Sequence, residues 1–130
     1  PVPPVPSGPW YGEYFNNSNL SGGPSYTANV EHVSFNWGFG GPGNGLSGSA
    51  FSGRWTRQEW LQGGTYRFYA TSDDGVRVFV DEQLVIDGWK IQAATTYYGE
   101  KALSDGYHTI RVEYFQGGGE ALLYFYYNRY

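Results

Sequence analysis

From Thr65 to Val80 apolar and polar positions alternate with a period of two. Tyr66, Phe68 and Ala70 fall on one face against Arg67, Tyr69 and Thr71, and Val76, Val78 and Val80 repeat the pattern a few residues later. The pattern predicts two strands with a short break at 73–75. "DEQ" (81–83) then reads as a tight connection into "LVID" (84–87), giving a hairpin that "GW" (88–89) ends. Further on, "TTYYGEKALSDGYHTIRVEYF" (95–115) reads as two extended runs about a Ser-Asp-Gly turn, with His108, Ile110, Val112 and Tyr114 on one face of the second. "GGG" (117–119) is the next turn, and "ALLYFYY" (121–127), apolar on both faces, reads as a central or doubly covered strand.

The first half alternates less cleanly. "WYGEYF" (10–15) predicts a first strand, closed by the turn-forming cluster "NNSNLSGGP"; "VEHVSFNW" (30–37) predicts a second. "GFGGPGNGLSGS" (38–49) has no periodicity and reads as an extended surface loop. "AFSGRWT" (50–56) resumes extended structure with Phe51 and Trp55 as core candidates, and "RQEWLQGG" (57–64) fits either a helical turn or a wide connection. About nine or more short strands at this spacing predict an all-β fold, an antiparallel β-barrel or barrel-like sandwich.

Composition narrows the function. Aromatic residues make up 20 % of the 130-residue chain and apolar residues 40 %, enough for one sizeable core and too much for a disordered segment. A net charge of −4 with no Lys/Arg cluster argues against nucleic acid as a partner. Apolar runs stop well short of the ~20 residues a spanning helix needs, so no membrane insertion is expected. With no Cys there is no disulfide or thiolate chemistry to consider. The opening "PVPPVPSGPW" lacks a Met and is Pro-rich, so residues 1–9 read as a semi-rigid linker and 10–130 as a single β domain cut from a longer chain.

Several patterns dissolve under their own mechanisms. "GFGGPG" matches the dinucleotide fingerprint in form, but no helix follows to meet a pyrophosphate. "GLSGS" lacks the strand-turn-helix context of a nucleophile elbow. His32 and His108 have no metal-ligand spacing, and His108, on an apolar strand face, reads as a hydrogen-bonded structural residue. Glutamates are plentiful, yet sequence spacing does not define the carboxylate separation that glycoside hydrolysis needs, so no enzyme is read here. Among five tryptophans, Trp37 and Trp89 are the ones placed to face a ligand.

The carboxylates Asp73 and Asp74 are adjacent at a strand end. One Asp before a Gly is ordinary turn chemistry, because its side chain accepts N–H bonds from the turn that follows. Two can converge on a hard cation such as calcium, which takes carboxylates, carbonyls, hydroxyls and water alike. The residues leave both readings open.

Five stretches, "WYGEYFNN", "FNWG" (35–38), "FSGRWT" (51–56), "TSDDGVRVFVDEQLVIDGW" (71–89) and "YHTIRVEYFQGGGEALLYF" (107–125), occur in the order and spacing of the PA-fourteen domain, which the chain resembles over residues 10–127. The resemblance implies a lectin-like β-barrel or barrel-like sandwich of the kind found in adhesins and glycosidases, extracellular or at the cell surface. It implies that Asp73 and Asp74, joined by a cis peptide, hold Ca2+, and that the ion accepts two neighbouring hydroxyls of a carbohydrate. The rest of the shell would come from the loop "FQGGGEA" (115–121), where Gln116 and Gly118 are the candidate amide and carbonyl ligands and Glu120 could replace either. In the family's fungal adhesins an Asn from a longer loop does this work. Asp81 and Asp87 are assigned to turns. The implied function is that of a noncatalytic, calcium-dependent carbohydrate-binding module tethered to other domains, with Trp89 beside the ligand. The alternative is a structural or protein-interaction domain of the same fold.

Overall fold

In a computed structural model, residues 9–43, 45, 46 and 50–129 are described. The proposed linker, apart from Pro9, and parts of the 38–49 loop lie outside the described residues. Ten strands follow in order: β1 (Trp10–Phe15), β2 (Tyr26–Val30), β3 (Ser34–Gly38), β4 (Phe51–Leu61), β5 (Gly64–Asp73), β6 (Gly75–Val80), β7 (Gln83–Gly88), β8 (Thr95–Leu103), β9 (Gly106–Gln116) and β10 (Ala121–Arg129). They form a six-stranded sheet, β2-β1-β4-β9-β6-β7, and a four-stranded sheet, β3-β10-β5-β8. Every pairing is antiparallel. The result is an all-β, barrel-like sandwich.

The alternation in the sequence is the alternation of burial. Tyr66, Phe68 and Ala70 of β5, Val76, Val78 and Val80 of β6, and Ile110, Val112 and Tyr114 of β9 all face the core. Trp55 stands at its centre, fully buried, with its indole N–H donating to the Tyr14 hydroxyl at 3.2 Å. Its ring leaves no room for a side chain two residues back on β4 or across on β1: a Cβ on Gly53 would come within 2.5 Å of the indole, and one on Gly12 within 2.9 Å. Two glycines are the counterpart of one large ring.

Three expectations change. Residues 57–61 are neither a helical turn nor a loop but the end of β4, paired with β9 from Phe51↔Gln116 through to Leu61↔Gly106. Arg57 and Glu59 sit on alternate positions and form an ion pair at 2.7 Å, which hides a strand behind a polar pattern. The run 30–37 is two strands, because Val30 ends β2 in the larger sheet and Ser34 opens β3 in the smaller one. β10 is central, between β3 and β5, but covered on one side only: Leu123 is buried, whereas Tyr124 and Tyr126 face outward. There Tyr126 stacks on Tyr69 of β5, ring centroids 4.5 Å apart.

On the outer face of the larger sheet one in-register row crosses five strands: Glu13, Arg54, Glu113, Arg77 and Asp87. Charges alternate along it, so each opposes its neighbours favourably. Glu113 is the focus, accepting from Arg54 at 3.3 Å and from Arg77 at 3.1 Å, with the Arg111 guanidinium ion-paired to it at 3.3 Å. Its side chain is only 7 % exposed, because the arginine stems cover it. The row places Asp87 within β7 rather than in a turn. Removing Glu113 would leave three guanidinium groups facing each other around an apolar gap. Glu113→Ala should therefore lower unfolding free energy by about 2–4 kcal/mol, against about 1 kcal/mol or less for Glu13→Ala at the partly exposed β1 end of the row. Urea unfolding of the two variants side by side checks the difference.

Candidate functional site

β5 belongs to the smaller sheet and β6 to the larger, and Asp74 is the single residue between them. The chain changes sheets across the Asp73–Asp74 peptide, which is cis. Gly75 follows without a side chain because the Phe115 ring lies 2.0 Å from where its Cβ would be. A tight crossing is thus written as Asp-Asp-Gly.

Asp74 is buried, 3 % exposed. Its Oδ1 accepts the Gln92 backbone N–H at 3.1 Å and its Oδ2 the Gly117 N–H at 2.7 Å. Its carbonyl accepts the Ser72 hydroxyl at 2.5 Å and the Gln92 side-chain amide at 2.9 Å. Gln92 is held in turn: its amide nitrogen also donates to Gly88 O at 3.1 Å, and the Tyr97 hydroxyl donates to its Oε1 at 2.5 Å. Tyr114 donates its hydroxyl to the Asp73 carbonyl. Burial pushes that phenol far up, so it remains a donor throughout the accessible pH range. Three segments, 72–75, 88–92 and 114–117, meet at one carboxylate.

Asp73 behaves differently. It ends β5 half-buried, and its carboxyl is pushed up to about 6 by desolvation first, then by its hydrogen bond and repulsion with Asp74 and by the charge of Glu120. Near neutral pH two carboxylates are therefore held together against their mutual repulsion, with a third nearby.

The other expected ligands fall around this step. Gln116 is fully buried at the end of β9, where its amide nitrogen donates to Gly119 O at 2.7 Å. It braces the loop whose Gly117 N–H holds Asp74. Gly118 and Gly119 take φ of +138° and +78°, conformations that favour glycine. Glu120 is exposed and acts on Asp73 through its charge. Trp89 stands one layer back: the Arg77 guanidinium lies 3.8 Å from its ring centroid and the Phe115 ring 4.7 Å away. Trp37 turns inward, stacked on Phe35 at 4.7 Å and packed on Phe51 and Tyr114. Sequence reasoning missed Gln92, Gly117, Ser72 and Tyr114. Ser72 and Tyr114 carried a usable signal, as polar atoms on otherwise apolar strand faces, whereas "KIQAA" offered none.

The donor set can be tested against a cation. Each Asp74 oxygen accepts one N–H and retains a second lone pair, so the bonds orient the carboxylate without exhausting it. Among the described residues no three His, Cys, Asp or Glu side chains are grouped to hold a metal unaided. An ion here would depend on two carboxylates supplemented by amide or carbonyl oxygens and water. That set suits a hard, oxygen-seeking ion of high coordination number and not zinc. The sandwich's cleft of about 190 Å³, lined by Trp10, His32, Arg57 and Tyr126 among others, includes none of these residues. His108 serves the fold: Nδ1 lies 2.5 Å from Asp81 Oδ2 and Nε2 2.8 Å from Ser104 O, while Asp81 Oδ1 accepts the Thr109 N–H at 3.0 Å. Asp81, at φ +52°, is a turn residue.

A PA14 domain profile matches residues 6–130. Over 107 residues, 81 % of the chain, the sequence is 38 % identical to anti-sigma-I factor RsgI3 of Acetivibrio thermocellus, of which it spans 16 %. Among solved structures, an anti-sigma factor domain-containing protein is 33 % identical with a TM-score of 0.87, over 94 % of this chain and 43 % of that one. A PA14 sugar-binding domain from an RTX adhesin is 22 % identical with a TM-score of 0.75, over 94 % of this chain and 90 % of that one.

Two titrations probe the geometry. With Asp73 raised from 3.8 to about 6 on folding, the folded state holds the proton more tightly than the unfolded chain. In chelator, this group's contribution should lower stability as pH rises through that window, and Asp73→Asn should flatten the slope. Around His108, burial opposes the charge but the bonds to Asp81 and Ser104 O outweigh it, so its value is raised above 6.5. For Asp81, burial is outweighed by His108 and the Thr109 N–H, and its value falls below 3.8. The pair's contribution should be full between those limits, fading as pH rises through the raised His108 value or falls through the lowered Asp81 value. Urea unfolding of the protein and of Asp81→Asn at a series of pH values checks both limbs.

Proposed function

The chain belongs to the PA14 domain family, and we propose that this member is a noncatalytic carbohydrate-binding module that works through calcium at the Asp73–Asp74 step. The observation carrying the reading is the asymmetry of the two carboxylates. Asp74 is accounted for by the fold, with both oxygens bonded to backbone N–H groups at the crossing between sheets. Asp73 is not: its charged form is disfavoured, and the fold keeps it beside Asp74 and Glu120 all the same. A divalent cation removes that penalty.

In this reading Asp73 and Asp74 hold the ion, and Gln116, Gly118 or Glu120 completes the shell. Calcium, when bound, supplies an oxygen-seeking centre that exchanges water for two neighbouring sugar hydroxyls. Ser72, Gln92 and Tyr114 keep the two carbonyls and the Asp74 carboxylate in place, so little has to be ordered on binding. A single small site of this kind suits weak binding, with Kd on the order of 0.1 to a few mM, made useful by several copies acting together. The shared fold with a domain described as sugar-binding supports the reading at the level of architecture.

The chain spans a small part of the anti-sigma factor it resembles. We infer that it is the ligand-binding part of a larger surface or extracytoplasmic protein. For a parent of the anti-sigma type, glycan binding would be the input to regulation; for an adhesin or polysaccharide-acting enzyme, it would be attachment.

Thermal unfolding in calcium and in excess chelator is the direct test. Calcium at a hundredfold excess over Kd should stabilise by about 2.7 kcal/mol, and Asp73→Asn should abolish the shift while leaving the chelated protein folded. Coincident curves up to several mM calcium would instead favour a structural or protein-interaction domain in which the Asp pair only makes a turn.

A further inference from the structure

The cleft of about 190 Å³ lies at a seam where ladders of both sheets run out. β3 pairs with β10 only from Ala121 to Tyr124, and the next neighbour on that side is Val33, whose carbonyl accepts the Phe125 N–H at 2.9 Å. In the facing sheet β1 pairs with β4 as far as Thr56, and Arg57 lies one residue beyond. Side chains of β10 after Tyr124 are therefore reached from the edge of the sandwich, and Tyr126 is 57 % exposed.

Tyr126 forms a wall of this cleft. Its ring and that of Tyr69 on β5 are parallel to within 12° at 4.5 Å, so their faces look along the line from strand to strand. One face of Tyr126 is taken by Tyr69, and the other looks to the side where β3 has ended. The rest of the lining comes from that side and from the facing sheet, with none from β5 or β8: His32 lies between β2 and β3, Arg57 on β4 and Trp10 on β1. Trp10 is buried and packs edge-on against Phe125 at 5.7 Å, with the Arg57 guanidinium 5.9 Å from its ring centroid. Backbone groups are available as well. Alternate residues of an antiparallel strand turn their N–H and C=O the same way, so those of Tyr127 follow the Phe125 N–H to the side where the β3 ladder has stopped.

We infer that this cleft is a second, ion-independent site for a single neutral pyranose ring, whose C–H face packs on the open face of Tyr126 while its hydroxyls meet Arg57, His32 and the Tyr127 backbone. An aromatic wall with a few hydrogen-bonding groups at its rim suits a ring that is apolar on its face and polar around its edge. Neutrality follows from charge: Arg57 is already ion-paired to Glu59 at 2.7 Å, so an anionic ligand would meet a carboxylate in place. Size follows from volume, because the cleft is smaller than the ~300 Å³ at which pockets for larger ligands begin. The site does not rest on the reading of Asp73 and Asp74. Leu122 pairs with Asp73, and Tyr126 lies about 13 Å further along β10, so one ring cannot touch both places.

Methyl glycosides of glucose, galactose, mannose and xylose serve as probes, titrated by NMR into the protein in excess chelator. The expected result is binding of at least one of them with Kd on the order of a few mM, read as shifts of the Val33, Tyr126 and Tyr127 amides and the Trp10 indole N–H. Tyr126→Ala should weaken that binding about 3- to 10-fold, the range one aromatic contact carries, whereas Tyr126→Phe keeps the ring and should retain it. Asp73→Asn should leave it unchanged, and neither Tyr126 variant should alter a calcium-induced rise in Tm. Undisturbed cleft resonances with all four sugars, or binding that Tyr126→Ala does not weaken, overturn the inference and leave the ion site standing. Decaproline moving these resonances where no sugar does overturns the sugar assignment in favour of a peptide groove. Sugar shifts that arise only with calcium, and only in segments 72–75 and 117–119, assign all binding to the ion site and overturn the second one.

Discussion

The crossing from one sheet to the other through a single residue is the constraint on which this domain depends. β5 and β6 lie in different sheets, yet only Asp74 separates them. A buried carboxylate at such a place must be satisfied or it would cost several kcal/mol. Here it is satisfied by backbone donors from two other segments. The requirement runs both ways: the 88–92 connection and the 117–119 turn each spend a backbone N–H on Asp74, so their shapes are set by it. A long-range organiser made from one side chain explains why loops far apart in sequence arrive at one point.

The larger sheet supports that point from behind. Its charge row includes Arg77, which covers the Trp89 ring; Trp89 packs on Phe115, and Phe115 fills the space that Gly75 leaves. The row, the aromatic pair and the crossing are thus one continuous packing unit. Trp89, on this geometry, transmits rigidity to the carboxylates, and the face that would stack on a sugar is occupied by a guanidinium. The outer surface of the smaller sheet has a different character, with tyrosine stacked on tyrosine and ionic contacts such as Arg67 with Glu100 at its edge.

Strands with an apolar face were legible from the sequence because period-two burial leaves a direct trace: β5, β6, β9 and the hairpin into β7 fell where alternation placed them. The tail of β4 was not, since Arg57, Gln58 and Glu59 read as a polar run, with Arg57 and Glu59 ion-paired, while the ladder to β9 supplies the strand. The break between β2 and β3 was equally silent, because a change of sheet at Glu31 and His32 needs no glycine or proline. For the site, Asp-Asp-Gly was conspicuous in the sequence, and the structure places it at the crossing between the sheets. Gln92 was invisible: its role depends on two hydrogen bonds to Asp74, which folding alone brings near, with local bonds to Gly88 and Tyr97 holding the side chain in place. Adjacency in sequence reveals pairs such as Asp73 and Asp74; it does not reveal what folding brings to them.

The division of labour within the pair bears most directly on function. A turn needs one carboxylate, and Asp74 supplies it, with bonds that a purely structural domain would also require. Asp73 brings the opposite: a half-buried acid whose ionisation the surroundings resist, next to another acid and near a third. A chain selected for stability alone would gain by replacing it with Asn or Ser, which keep the polar character without the repulsion. An unfavourable charge retained at a rigid, solvent-reached point is the usual mark of a site that meets its ligand through that charge. The fold therefore explains Asp74, and the proposed cation is the reading that would explain Asp73.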